Sequence, residues 1–285
     1  MLHLSLSWFL KGQRSVRKFE QYHPKFAPKN PPKWDRLEYK EFRLHAQNGG
    51  ADCAFRYFEI TPKKPNAHKI LLLQEITGIN QKLVDFASYL SEEGYHVYVP
   101  DLLGPAMANK SAVSNLVRLP CIRAEIYQLA KGRPTKPTEW VHAFISEIAK
   151  KDEQVGVIGM CLTGGFALTL MMHANVCAAV ASQPSLNTVP RASVFASSAR
   201  KVMAENAAYA AQDVIRQKGG ALAMRSCFDP MSPPSAISGW KKLLGDDLAV
   251  HTFWGFRHSL LAGRRSLPAF RLVKNYLDEQ FRSSQ

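Results

Sequence analysis

Gly159-Met160-Cys161-Leu162-Thr163-Gly164-Gly165 follows the apolar run Val155-Gly156-Val157-Ile158 and precedes a segment, Phe166 to His173, that reads as a helix. Strand, sharp turn and helix in that order make the elbow on which a nucleophile is presented between glycines. The glycines have a steric reason. At a strained strand-to-helix turn, side chains two positions either side of the nucleophile would collide with neighbouring backbone. The flanking positions here are Gly159 and Thr163, with Gly164 and Gly165 behind, so the second glycine of the G-x-S-x-G pattern is displaced by one residue. The nucleophile expected at this turn would be a cysteine, Cys161, not a serine. A lone G-x-C recurs by chance in many chains, so partners elsewhere must decide.

Working outward, the elbow lies within a regular alternation. Cys53 to Ile60 alternates like an antiparallel strand, and Lys69 to Gln74 is a continuous apolar run of the kind buried on both faces of a parallel sheet. Asn80 to Glu93 carries Leu83, Phe86, Ala87 and Leu90 at helical spacing and stops at Gly94; Tyr95 to Pro100 is the next strand. Helices are expected over Glu139 to Lys150, Ala204 to Lys218, Pro233 to Leu244 and Leu267 to Phe281, and strands over Val176 to Ala181, Gly220 to Cys227 and Leu248 to Trp254. Strands alternating with helices imply a mostly parallel, doubly wound α/β sheet with helices on both faces. A chain of 285 residues, 46% hydrophobic, fits one large domain over 37–285. Prolines at 24, 28, 31 and 32 mark the linker that closes a basic, Pro-rich N-terminal extension, 1–36.

The formal net charge of +14 raises the question of nucleic acid, but its distribution argues against it. The extension holds eight Lys/Arg against Glu20 and Asp35, the remaining charge is dispersed, and no RNA-binding aromatic motif or helix-turn-helix accompanies it. A solvated basic surface is the plain reading; a field that draws in an anionic substrate is the sharper one. No segment approaches eighteen uninterrupted apolar residues, so stable membrane insertion is not expected. The apolar Met1 to Leu10 has its basic residues after it, unlike a signal peptide. The five cysteines (53, 121, 161, 177, 227) form no C-x-x-C pair and no metal spacing, which points to a reducing compartment, the cytoplasm, and to no structural metal. The sequence leaves the oligomeric state open.

Two further residues complete the elbow's chemistry. Asp229 lies in Phe228-Asp229-Pro230-Met231 behind one predicted strand, and His258 lies in Arg257-His258-Ser259 behind the last. Both fall at carboxyl ends of strands, where ligands gather in open α/β sheets. Nucleophile, acid, histidine is also the chain order of the α/β-hydrolase triad. Cys161 would attack as thiolate, His258 would carry the proton, and Asp229 would orient the imidazole. Asp246 and Asp247 compete for that last role, but they precede the final strand. The backbone N–H of Leu162, just after the nucleophile, would help stabilise the oxyanion.

The loop Gln74-Glu75-Ile76-Thr77-Gly78-Ile79-Asn80 makes a family recognisable. With G-x-C-x-x-G, the G-Y-x-x-x-x-P-D-L run from Gly94, the D-P-x-x-P turn and the H-S pair, the sequence resembles the dienelactone hydrolase family. These are cysteine-nucleophile members of the α/β-hydrolase fold, and the resemblance spans roughly Leu37 to Phe281. It implies that Cys161, His258 and Asp229 are catalytic. It also implies that Glu75 is an extra carboxylate contacting the resting thiol, and that the N–H groups of Ile76 and Leu162 form the oxyanion hole. The implied reaction is hydrolysis of a small ester or lactone through a thioester acyl-enzyme, with no metal or organic cofactor. The sequence departs from the family where an arginine would grip the substrate carboxylate four residues after the histidine: Ala262 stands there. Arg257, Arg264 and Arg265 are the nearest arginines, and Arg118 and Arg123 are further candidates for anion binding. Two other readings stay open: a broader thiol carboxylesterase or thioesterase, and a non-catalytic, redox-responsive binding protein on the same fold.

Overall fold

The apolar runs of the sequence become strands of one sheet, and their order is set by which faces must be covered. The computed structural model describes residues 28, 30–45, 52–63, 68–102, 136–150, 153–185, 212–262 and 267–284. The strands are β1 (Lys40–Leu44), β2 (Cys53–Ile60), β3 (Lys69–Leu73), β4 (His96–Pro100), β5 (Val155–Met160), β6 (Val176–Ser182), β7 (Ala221–Ser226) and β8 (Leu248–Phe253). They pair in the order β1-β2-β4-β3-β5-β6-β7-β8. β1–β2 and β2–β4 are antiparallel; every other pairing is parallel.

Side chains alternate across the sheet, so a strand buried on both sides supplies two cores. Ile70 and Leu72 of β3, with Ile158 and Val180, pack under α1 (Gln81–Glu92) and α5 (Leu267–Ser283). Leu71 and Leu73, with Val155, Val157 and Ala179, pack under α2 (Lys136–Ile148), α3 (Gly164–Thr169) and α4 (Ser235–Leu244). The doubly wound α/β-hydrolase architecture expected from the alternation is therefore present, with helices on both faces. Gly156 of β5 lets α5 approach: a Cβ there would lie 2.8 Å from Ile70 Cδ1 and 3.0 Å from Leu277 Cδ2.

Local chemistry fixes the helix ends. Asn80 caps α1, its side chain accepting from the N–H groups of Lys82 and Leu83 at 3.0 and 3.2 Å. Gly94, at φ 101°, ends that helix, and the Tyr95 N–H reaches back to Leu90 O at 3.1 Å, the bond of a Schellman closure. The helix after the elbow is shorter than Phe166 to His173 suggests: α3 gives way to a 3-10 turn over Leu170–Met172. Of the helix expected over Ala204 to Lys218, residues 212–217 are described and helical, Lys218 lies in the turn that follows, and 204–211 fall outside the described residues. The last residues of the N-terminal extension lie on α1, where Gln81 accepts from Trp34 N–H at 3.1 Å and donates to Pro32 O at 3.0 Å. No described helix is long and apolar enough to cross a membrane.

Candidate active site

Every residue singled out for chemistry that lies within the described residues sits past the carboxyl end of a parallel strand. Cys161 follows β5 directly and begins the 3-10 turn Cys161–Thr163. Its φ of 54° is rare for a residue with a side chain, and a conformation of this kind persists only where its surroundings over-determine it. The constraint at Gly159 is severe: a Cβ there would lie 2.2 Å from Thr163 O and 2.8 Å from Ala167 Cβ. Thr163, where the pattern G-x-S-x-G would have glycine, ties the elbow down instead. Its hydroxyl accepts from Met160 N–H at 3.0 Å and faces the carbonyl oxygens of Met160, Leu73 and Gln74 at 3.1 to 3.3 Å. The displaced glycine has its own reason, since a Cβ on Gly164 would press on Pro184 Cα at 3.0 Å.

Asp229 is buried in the turn after β7, and its Oδ2 meets His258 Nδ1 at 2.7 Å. Its Oδ1 accepts from Met231 N–H at 2.9 Å, which anchors the carboxylate within its turn. The turn is braced by buried Arg225, whose Nε donates to Ser232 O at 2.6 Å. It is joined to the histidine loop by Ser226, whose hydroxyl donates to Arg257 O at 2.6 Å. Burial disfavours the charged imidazole, but Cys161 and Asp229 outweigh it and push the His258 pKa up to about 9. Nε2 of His258 is buried and meets no hydrogen-bond partner among the described residues. Asp229 takes Nδ1, which leaves Nε2 as the ring nitrogen without a partner among the described residues.

The Cys161 sulfur has a different neighbour, Ser185 Oγ, at 3.4 Å, and Ser185 N–H donates to Cys161 O at 3.0 Å. Glu75 is buried, and its hydrogen bonds among the described residues run to Ser259 and Gln183. Ser259 Oγ reaches Oε1 at 2.8 Å and Oε2 at 2.9 Å, and Gln183 Nε2 donates to Oε1 at 2.9 Å. The thiol contact implied for Glu75 is thus not among its hydrogen bonds. Ile76 follows Glu75 in a turn closed by Gly78 N–H to Glu75 O at 2.9 Å, and Leu162 follows Cys161 in its 3-10 turn. Arg257 is exposed beside His258, and Ala262 is buried. Arg118, Arg123, Cys121, Arg264 and Arg265 lie outside the described residues. Phe228, Trp254 and Phe256 form an exposed ring cluster on the two loops that carry Asp229 and His258, each pair of neighbours 4.9 Å apart between centroids. Among the described residues, no group of three or more His, Cys, Asp or Glu side chains is placed to hold a metal ion.

A family model for dienelactone hydrolases matches residues 55–226, more than half of the chain. The chain belongs to the dienelactone hydrolase family. The matched stretch of this family member contains Glu75 and Cys161 and ends three residues before Asp229. A comparison with curated proteins gave no match.

Among solved structures, this dienelactone hydrolase family member is similar to a candidate dienelactone hydrolase from Klebsiella pneumoniae subsp. pneumoniae MGH 78578. The identity is 14% and the TM-score 0.52, over 87% of this chain and 95% of that one. It is similar to m3DLH at 17% identity and a TM-score of 0.56, over 85% and 99%. It is also similar to an acylaminoacyl peptidase from Pyrococcus horikoshii at 12% identity and a TM-score of 0.52, over 85% of this chain and 41% of that one. At such identities these likenesses show the α/β-hydrolase fold, and the family match makes the chain a hydrolase-family protein.

Proposed function

We propose that this protein hydrolyses a small ester or lactone through a thioester formed on Cys161. The observation that carries the reading is the 2.7 Å bond from buried Asp229 to His258, a ring whose pKa is raised to about 9 by Cys161 and Asp229 together. In the first step the Cys161 thiolate adds to the substrate carbonyl, and the N–H groups of Ile76 and Leu162 receive the developing oxyanion. One such donor contributes roughly 10²–10³ in kcat. The tetrahedral adduct expels the alkoxide, which takes its proton from His258 Nε2. Water then attacks the thioester, gives a proton to His258 and releases the acid and the thiolate. Asp229 keeps the ring in register throughout. Glu75 stands as a fixed carboxylate at the edge of this group.

The catalytic unit we assign to residues 37–285 as one domain, with the basic segment 1–36 outside the chemistry. An anionic substrate is the better fit to the chain's charge, with Arg257, Arg118 and Arg123 as candidate partners for a carboxylate. The free thiols Cys53, Cys161, Cys177 and Cys227 suit a reducing compartment, the cytoplasm.

The test is turnover of p-nitrophenyl acetate by the wild type and by Cys161→Ala, with mass spectrometry for the acyl adduct. Turnover with an adduct on Cys161, both lost in the variant, is the expected result. Turnover that persists in the variant, or a wild type that neither turns over nor acylates, defeats the proposal.

A further inference from the structure

Gln183 is the first residue past β6, and nothing in its sequence context, Ser182-Gln183-Pro184-Ser185, marks it for chemistry. The structure does. Its φ is +36°, and among the described residues Cys161 is the other non-glycine residue with a positive φ. Its side chain is fully buried. The backbone N–H donates to Met224 O at 2.7 Å, which ties this position to β7. The amide joins three loops. Nε2 donates to Glu75 Oε1 at 2.9 Å in the loop after β3, and Oε1 accepts from Leu260 N–H at 3.4 Å in the loop after β8. Oε1 also accepts from the Ser182 hydroxyl.

The direction of these bonds is fixed by chemistry. A backbone N–H can only donate, so Leu260 must face the amide oxygen. The NH2 group then faces Glu75, which has to accept. Leu260 is two residues from His258, and Glu75 precedes Ile76 of the candidate oxyanion hole. An apolar side chain at position 183 would leave a buried carboxylate oxygen and a buried N–H without these partners, and such unmet groups are expelled or drawn to other partners.

We propose that Gln183 is a positioning residue of the catalytic site: its amide clamps the Glu75 carboxylate and the loop carrying His258 in one arrangement around Cys161. The inference rests on the hydrolase reading above. The strained backbone follows from it, because the turn after β6 has to place one side chain between two loops that sit on opposite sides of the nucleophile strand.

The test compares Gln183→Glu and Gln183→Leu with the wild type, as the ratio of variant to wild-type kcat across pH, with KM and folded fraction measured at each pH. Q183E keeps size and shape but sets a second carboxylate against Glu75. Two carboxylates held this close repel once both are charged, so the cost of the second one grows as pH rises. The expected Q183E ratio is near one in acid and at least about tenfold lower in alkali, with KM little changed. For Q183L the expected ratio is low, by about tenfold, and flat with pH. A Q183E ratio that stays flat, or losses in both variants that track the folded fraction alone, would overturn the assignment. The pH-dependent rate of Cys161 alkylation by iodoacetamide, read on the Cys161 peptide, gives a second measure that needs no esterase activity. Wild-type protein without turnover then defeats the hydrolase reading, whereas a flat Q183E alkylation ratio defeats the role of Gln183.

Discussion

The Cβ of a residue at position 159 would have 2.2 Å to Thr163 O, a separation that no real contact shows. Gly159→Ala is therefore expected to destabilise the fold by at least about 3 kcal/mol, read as a lower urea midpoint. Gly165→Ala is the control. Gly165 lies in α3, and its Cβ would meet Trp240 of α4 at 3.4 Å, an ordinary contact, so stability should hold or rise by about 0.5–1 kcal/mol. For the chemistry, Asp229→Asn should leave the fold intact while kcat falls by about 10²–10⁴, since an amide no longer fixes the tautomer of His258. The ring's pKa, about 9 in the wild type, should fall in the same variant because one of the charges that raise it is gone; NMR titration of the His258 ring checks this. At this scale the sequence exposes the residues that chemistry demands by type and order: Cys161, Asp229 and His258. It hides Thr163, Gln183 and Ser185, whose importance lies in contacts with residues far along the chain.

At the scale of elements, Trp140 shows how an edge of the sheet is held. It is fully buried on α2, stacks on Phe144 with centroids 4.6 Å apart, and lies against Phe42 of β1 and Phe55 of β2. Its Nε1 donates to Phe42 O at 2.7 Å, so one ring covers the antiparallel strands and also satisfies β1. Trp140→Ala should cost about 3–5 kcal/mol. Trp140→Phe, which loses chiefly the hydrogen bond, should cost about 1–3 kcal/mol; denaturant unfolding of both variants measures the difference. Strands β2 to β8 were legible because each is short, bounded and either apolar or alternating. β1 was not expected as a strand, since Lys40, Glu41 and Arg43 make it polar. Those charges suit a strand with one open side, where a second chain could otherwise pair.

For the whole molecule, stability should pass through a maximum in pH. His68, His96, His142, His173 and His251 have pKa values lowered from 6.5, in each case first by burial. A lowered histidine is held neutral in the fold, while the unfolded chain takes up the proton, so stability drains away as pH falls below about 6.5. His258 runs the other way. Its pKa is raised to about 9, so its contribution is complete below 6.5 and disappears as pH rises toward that value. Urea midpoints at acid, neutral and alkaline pH should therefore peak near neutrality. Cys161→Ala should blunt the alkaline decline, because Cys161 is one of the two partners that raise the His258 pKa. None of this balance was readable beforehand: a histidine's burial depends on which helix covers it, and the α/β alternation gives the layers without giving their depth.

The hydrogen bonds around Glu75 span the chain, with Ser259 184 positions away and Gln183 108 positions away. Closing such intervals is the slow part of folding, because loop entropy is lost before the contacts repay it. Helices α1 and α5 and the local turns can form early, but the clamp on Glu75 cannot exist until β3, β6 and the loop after β8 have docked. A refolding experiment followed by Cys161 alkylation would therefore time the final long-range docking, lagging behind the return of helical signal. The site serves as a clock for completion of the fold.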